Sequence, residues 1–465
     1  MTQTVSMPLW VFALIILFAG VTFASHFLFP SVRWFFRKRA ERVIARLNAR
    51  LQRPIEPFKL ARRYDMIQRL IYDPEVTQAI VDYANTEGVP ENVAFEKAQG
   101  YAREIVPSFS ATAYFSFGIR IARWLSTSLY RIKLGAFDRD QLDHIDPDAT
   151  VIFVMNHRSN MDYVLVTYLA ANAGALSYAV GEWARVWPLS ALIRAMGAYF
   201  IRRRSRGALY RRVLARYVQM ATQAGVSQAV FPEGGLSLTG RTAPPKLGLL
   251  SYIVEGFDPE KRDVIFVPVA LNYDRVLEDD FLIAADKSGN RRFRPPFQRV
   301  AGGVLGHLWK RMTRRFKGFG VASVSFGAPL ELSSMARGET GDLTEAVAEE
   351  LMRRINAVIP VLGVPLVARA LLQNAPMTRA ALADHLAQDI AHCAAHKLPR
   401  PARKPDVLVT DALERLSGRG LVMEAEGEVQ ITDKGRDVLA FYAASIAHHF
   451  DAAAAEISQI SAVAK

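Results

Sequence analysis

The sequence predicts an α/β fold, a mixed sheet flanked by helices, with an N-terminal transmembrane helix, a helical N-terminal region and a mainly helical C-terminal domain. Three observations predict it. The stretch Leu9 to Phe29 is 21 residues without Asp, Glu, Lys or Arg. From Ala149 short apolar runs alternate with helical stretches, the texture of a layered α/β structure. Beyond about residue 335 helical periodicity returns, interrupted by a hairpin signal at Glu426-Gly427.

At ~1.5 Å per residue the first stretch spans ~30 Å, enough for one crossing of a bilayer. Eight basic residues against one acid, Glu41, lie between Arg33 and Arg53. The positive-inside rule then places the rest of the chain in the cytoplasm and the N-terminus outside an inner, cytoplasmic membrane. A cleaved signal peptide would carry its basic residues ahead of a shorter apolar stretch. The chain divides into an anchor at 1–30, a helical region at 31–140, a catalytic domain at 141–335 and a helical C-terminal domain at 336–465. That partition suits 465 residues, which exceed the roughly 200 that one core usually serves.

Within 31–140, apolar residues recur at helical spacing in Tyr64 to Ala84 and in Phe109 to Ile132. The alternating segment then runs as Thr150 to Met155, a helix Tyr163 to Asn172, Ala198 to Ile201, a helix Ala208 to Gln223, Gln228 to Phe231, a helix Lys246 to Glu255, and Val264 to Leu271. A further strand is expected at Val321 to Phe326, after a basic helical stretch around Trp309 to Lys317. In the C-terminal domain Leu408 to Gly420, a hairpin at Met423 to Thr432 and a helix from Asp433 to His449 give an arrangement similar to a winged helix. A stiff, proline-rich linker, Pro399 to Pro405, precedes it.

Lys plus Arg number 58 against 45 Asp plus Glu, a net +13, which favours a negatively charged partner: anionic lipid, a phosphorylated substrate or nucleic acid. Nucleic acid is not expected, because the recognition stretch of the winged-helix-like region is not unusually basic. The single cysteine, Cys393, excludes an internal disulfide framework and a cysteine-based zinc site. No metal and no cofactor is expected.

Chemistry centres on His157 and Asp162. Five residues of continuous helix are ~500° of rotation, which would hold the two side chains apart, so they meet only across a turn. Asn156, Ser159 and Asn160 supply such a turn, and Ser159 or Asn160 can cap the helix entered at Met161. Asp162 would then fix the imidazole tautomer and leave the other nitrogen as a base. Gly197 to Ile201 leads into Arg202, Arg203 and Arg204, and guanidinium suits bidentate recognition of phosphate. Phe231-Pro232-Glu233-Gly234-Gly235 puts a carboxylate and two glycines at a strand end, where backbone can approach a ligand closely. The piece Gly235 to Thr242 falls short of a phosphate-binding loop: Arg241 stands where lysine belongs, and Pro244-Pro245 bar the helix that such a loop must open. Arg241 and Lys246 stay as candidate contacts for phosphate.

These stretches, with Val267-Pro268-Val269 leading to Tyr273-Asp274-Arg275-Val276, resemble in order the four motifs of the His-x4-Asp glycerolipid acyltransferases, and more narrowly the bacterial and mitochondrial glycerol-3-phosphate acyltransferases. The match covers roughly residues 150 to 280, and Phe441 to Phe450 is also similar to the family's tail. The resemblance implies transfer of a fatty acyl group from acyl-CoA or acyl carrier protein to the sn-1 hydroxyl of glycerol 3-phosphate at a membrane, with His157 as base and Asp162 orienting it. It further implies that Arg202 and Arg203, with Lys246 and Arg241, hold the acceptor's phosphate, that Glu233 shapes the acceptor site near Gly234 and Gly235, and that Pro268 forms part of the pocket. In the family the third motif's glycines are typically followed by Arg-Ser-Arg. Here Leu236-Ser237-Leu238 stands instead, which keeps lysophosphatidate or another lysolipid open as the acceptor. Non-catalytic readings, a membrane tether or a nucleic-acid binder, predict activity that survives loss of His157.

Overall fold

The computed structural model describes residues 7–135, 142–170, 174–181, 189–202, 207–289, 318–339 and 341–451. It divides into two units. The first, residues 1–55 with 172–174, is built on one helix, α1 (Leu9–Asn48). Most described apolar side chains in the N-terminal half of α1 are exposed, Leu9 at 87% and Phe18 at 75% among them. The expected transmembrane helix is met only as far as helical backbone and outward apolar side chains. Among the described residues no helix is long and apolar enough to cross a membrane, and the side chains of 23–37, which include the second part of the apolar run, lie outside the described set.

After a single-turn helix at Pro57–Leu60, the second unit continues with three longer helices, α2 (Arg63–Ile71), α3 (Pro74–Glu87) and α4 (Glu91–Ile105). Asp73 caps α3 by accepting from the Glu75 amide, Pro74 occupies its first turn, and Gly88 at φ +65° ends it. The stretch expected to be helical from Phe109 to Ile132 stops sooner: α5 (Ile119–Leu129) gives way at Tyr130 to β1 (Arg131–Leu134), whose Arg131 amide donates to Gly320. A strand partner at hand outweighs the helical spacing.

The sheet then follows the alternation read from the sequence. β2 (Thr150–Met155), α6 (Met161–Leu169), β3 (Ser177–Gly181), α7 (Leu189–Ala195), β4 (Tyr199–Ile201), α8 (Ala208–Gln223), β5 (Gln228–Val230), α9 (Gly248–Glu255) and β6 (Val264–Tyr273) come in order. α10 (Asp279–Ser288), β7 (Val321–Phe326) and β8 (Leu330–Glu331) complete it. Strand order is β1-β7-β6-β2-β5-β3-β4, with β8 pairing β6. β6, β2, β5, β3 and β4 run parallel, while β7 and β8 pair antiparallel with β6, so the sheet is mixed. All residues of β2 and β6 are buried, as befits central parallel strands covered on both faces. β3 is a strand that the sequence pattern does not announce, and the basic stretch Trp309 to Lys317 lies outside the described residues.

The C-terminal part is helical with a small sheet. α11 (Leu343–Ala357), capped by Asp342, packs on β6 and α9. Then come α12 (Gly363–Asn374), β9 (Met377–Thr378), α13 (Arg379–Ala395), α14 (Pro405–Ser417), β10 (Val422–Ala425), β11 (Glu428–Ile431) and α15 (Gly435–Ala444). The hairpin turn falls on Glu426 and Gly427, both at positive φ, 54° and 81°. The helix expected through His449 ends at Ala444, and a 3-10 turn carries Ala447–His449.

Candidate active site

β2 and α6 are joined by the turn that the His157–Asp162 spacing requires. As β2 and β6 run out, Asn156 bridges them: its amide donates to the Leu271 carbonyl at 3.0 Å and its Oδ1 accepts the Leu271 N–H at 2.7 Å. His157 follows at once. Its Nδ1 lies 2.9 Å from Asp162 Oδ2, and both side chains are buried. The same oxygen accepts the Arg158 and Ser159 amides at 2.7 and 3.0 Å, while Oδ1 accepts the Tyr273 hydroxyl at 2.6 Å. A carboxylate surrounded by donors acts as an acceptor, so Nδ1 carries the proton and Nε2 keeps the lone pair.

Two more carboxylates brace the turn. Glu278 accepts the Ser159 hydroxyl at 2.7 Å and both the backbone and side-chain amides of Asn160. Glu233 accepts the His157 amide on Oε1 and the Ala243 amide on Oε2, each at 2.8 Å. Burial raises the pKa of both Glu278 and Glu233, while the Ser159 and Asn160 donors at Glu278 and the Ala243 and His157 amides at Glu233 pull the other way. The His157 ring lies against Phe231 at 4.1 Å between centroids and meets Tyr163 edge-on at 5.4 Å. The imidazole is thus held by one carboxylate and two aromatic walls. A base so placed deprotonates a hydroxyl brought to Nε2.

The sequence matches the family described as Acyltransferase over residues 137–272 and that described as Glycerol-3-phosphate acyltransferase C-terminal region over 304–461. Among curated relatives, the glycerol-3-phosphate acyltransferase of Aeromonas hydrophila is 31% identical over 338 residues, covering 68% of this chain and 40% of that protein. Those of Pseudoalteromonas atlantica and Shewanella amazonensis are 29% and 31% identical and cover 70% and 72% of this chain. The chain belongs to the glycerol-3-phosphate acyltransferase family. It spans about two fifths of the length of these relatives, 40%, 41% and 40%. A solved 1-acyl-sn-glycerophosphate acyltransferase from Thermotoga maritima aligns with 60% of this chain and 91% of its own at 17% identity and a TM-score of 0.33.

The residues that the family motifs single out are not all gathered at the pair. Gly234, at φ +66°, turns the third-motif loop so that the Lys246 side chain passes over it; a Cβ there would stand 2.7 Å from Lys246 Cδ. Gly235 follows in the same turn, and Ser237 donates its amide to the His157 carbonyl at 2.9 Å. Glu233 accepts one backbone amide on each oxygen, which ties the third-motif loop to the His157 turn. Arg202 is paired bidentately with Glu104, at 2.7 to 3.1 Å, and lies over the rings of Tyr101 and Tyr210. Arg241 is exposed and pairs with Asp451 at 3.4 Å. Pro268 is buried within β6, opposite Val154, where its missing N–H falls between the β8 and β7 ladders. Arg203 lies outside the described residues.

Sequence reasoning missed four contributors. Tyr273, quoted only as part of a motif, and Glu278, five residues on, gave no local signal, because strand topology and a turn bring them to the pair. Arg158 is buried with only Nη2 bonded, to the Ser445 carbonyl at 3.2 Å, while Nε and Nη1 have no hydrogen-bond partner among the described residues. Burial lowers its pKa, against the pull of Glu233 and Asp162. The fourth is the contact of the C-terminal segment, noted in sequence only as similar to the family's tail, with the site loops: a Cβ on Gly240 would collide with the Phe441 carbonyl, Thr242 bonds Asn356 at 2.9 Å, and Asn272 reaches Ser445 Oγ at 3.2 Å.

Proposed function

We propose that this chain transfers a fatty acyl group from an acyl-CoA or acyl carrier protein thioester to the sn-1 hydroxyl of glycerol 3-phosphate, giving lysophosphatidate. The observation that carries the reading is the buried His157–Asp162 pair with its Nε2 lone pair free of the carboxylate. Nε2 takes the hydroxyl proton as the oxygen adds to the thioester carbonyl; the C–S bond then breaks, and the departing thiolate recovers that proton from the imidazolium. No acyl-enzyme is required. Asp162, fixed by Tyr273 and two amides, holds the ring orientation throughout.

Lys246, Arg203 and Arg241 are the cations proposed for the acceptor's phosphate; Arg202, engaged with Glu104, supports that loop. Leu236 and Leu238, in place of the family's two arginines, favour a second reading in which a lysolipid is the acceptor. The apolar side chains that α1 turns outward, followed by the basic run from Arg33 to Arg53, support anchoring in an inner membrane with the N-terminus outside and the catalytic domain on the cytoplasmic side. A nucleic-acid partner is disfavoured by charge: α14 exposes Asp406 and Glu414, and the β10–β11 hairpin carries Glu424, Glu426 and Glu428.

The experiment is a two-by-two assay of glycerol 3-phosphate and lysophosphatidate against acyl-CoA and acyl carrier protein, with His157→Ala as the blank in each cell. Transfer to glycerol 3-phosphate above the blank supports the proposal; transfer to lysophosphatidate alone contradicts it and installs the second reading.

A further inference from the structure

A groove separate from the His157 turn lies between strand β1, the proline-rich linker at 399–403 and helix α14, with a volume of about 160 Å³. Cations enter it from all three sides: Arg131 and Lys133 from β1, Arg400 and Arg403 from the linker, Arg415 from α14. Two carboxylates face these five. Asp411 Oδ2 is shared by Arg131 at 2.8 Å and Arg403 at 2.7 Å. Asp274 gives its oxygens to the amides of Val321 and Val364, at 2.8 and 3.1 Å. Among the described residues Lys133, Arg400 and Arg415 make no ion pair. Holding like charges together around a small space is unfavourable unless an anion completes it, and a mix of guanidinium and ammonium suits phosphate oxygens.

We infer that this groove binds a small phosphate-bearing anion, of the diphosphate class, at a site distinct from the acyl-transfer centre. The separation follows from the strand. Tyr273 ends β6 and turns its hydroxyl to Asp162, whereas Asp274, the next residue, lines the groove; successive residues of extended chain point to opposite faces. The anion and the catalytic pair therefore stand on either side of one backbone segment. The excess of five cations over two carboxylates matches more than a single phosphate. The linker wall sets the groove apart from a flat lipid-binding patch.

Calorimetric titration of the full chain with inorganic pyrophosphate tests this, beside a Lys133→Ala/Arg400→Ala variant, which removes two groups without ion pairs. Saturable binding to the parent, weakened about tenfold or more in the variant at an unchanged Tm, is expected, since the variant lacks two charge-assisted contacts. No saturable heat up to about 10 mM, or equal affinity in both proteins, would overturn it. A parallel arm sediments both proteins with phosphatidylglycerol and phosphatidylcholine vesicles. If the variant loses only phosphatidylglycerol binding while pyrophosphate affinity stays the same, the cations serve lipid headgroups and the inference fails.

Discussion

The Tyr273 hydroxyl donates to Asp162 Oδ1 at 2.6 Å, on the oxygen opposite the one that meets His157. The donor comes from the far end of β6, the acceptor from the first turn of α6, so the strand that carries the fourth motif sets the geometry of the first. Asp162 has every neighbour a carboxylate needs, and His157 is oriented through it.

Replacing Tyr273 with Phe removes that donor and nothing else of the ring's packing. A hydrogen bond to a charged group contributes about 1.5–3 kcal/mol, so kcat should fall by roughly ten- to a hundredfold with KM for both substrates nearly unchanged. Steady-state kinetics checks the split. A variant with parental kcat would remove Tyr273 from the orienting shell.

The C-terminal segment is expected to be part of the working site through its seat on the third-motif loop. Gly240 has φ +84°, and a Cβ there meets the Phe441 carbonyl. Gly240→Ala should cost about 1–3 kcal/mol through strain and displacement of the segment. Urea denaturation reads the stability, and limited chymotrypsin digestion at Phe441, Tyr442 and Phe450 reads the release. Parental resistance in both would show that the contact is dispensable.

Arg202 and Arg203 should behave differently although they are neighbours. Because Arg202 is held by Glu104, Arg202→Ala and Glu104→Ala should lower Tm by similar amounts and change KM for glycerol 3-phosphate by no more than about threefold. Arg203→Ala should raise that KM by about tenfold or more if the guanidinium meets phosphate, as proposed. The reverse ranking would return the phosphate-binding role to Arg202.

Acid should loosen the C-terminal segment. Burial, then the neighbouring His449 and Arg158, pushes the His448 pKa down to about 3, and burial also lowers that of His449. A base whose folded pKa is depressed contributes stability that is fully present above its unfolded value near 6.5 and is lost as pH falls toward 3. Tm measured between about pH 7.5 and 5 should therefore fall in the parent and fall less in a His448→Gln/His449→Gln variant. Parallel Tm profiles would contradict the assignment.

What the sequence made legible and what it did not divide along a physical line. β2, β6, α8 and the Glu426-Gly427 turn were readable because apolar period and turn chemistry are local properties. The His157–Asp162 turn was readable because a helix could not join the two. β1 was absorbed into a helix, since only pairing with β7 makes Arg131 to Leu134 a strand. β3, Ser-Tyr-Ala-Val-Gly, mixes small residues with only two larger ones and so lacks the apolar run that marked the other strands. Tyr273, Glu278 and the Arg158–Ser445 contact depend on partners 111, 119 and 287 residues away, beyond the reach of any local pattern. Charge is legible in sequence but its partners are not: Arg202 meets Glu104, 98 residues away.

The central claim is that His157 is the base acting on the acceptor hydroxyl. Its most direct test is the initial rate of acyl transfer to glycerol 3-phosphate by His157→Ala, in protein whose Tm confirms folding. Removal of a general base should lower kcat by about 10²–10⁴-fold. A variant that is folded and retains a rate within about threefold of the parent would contradict the account.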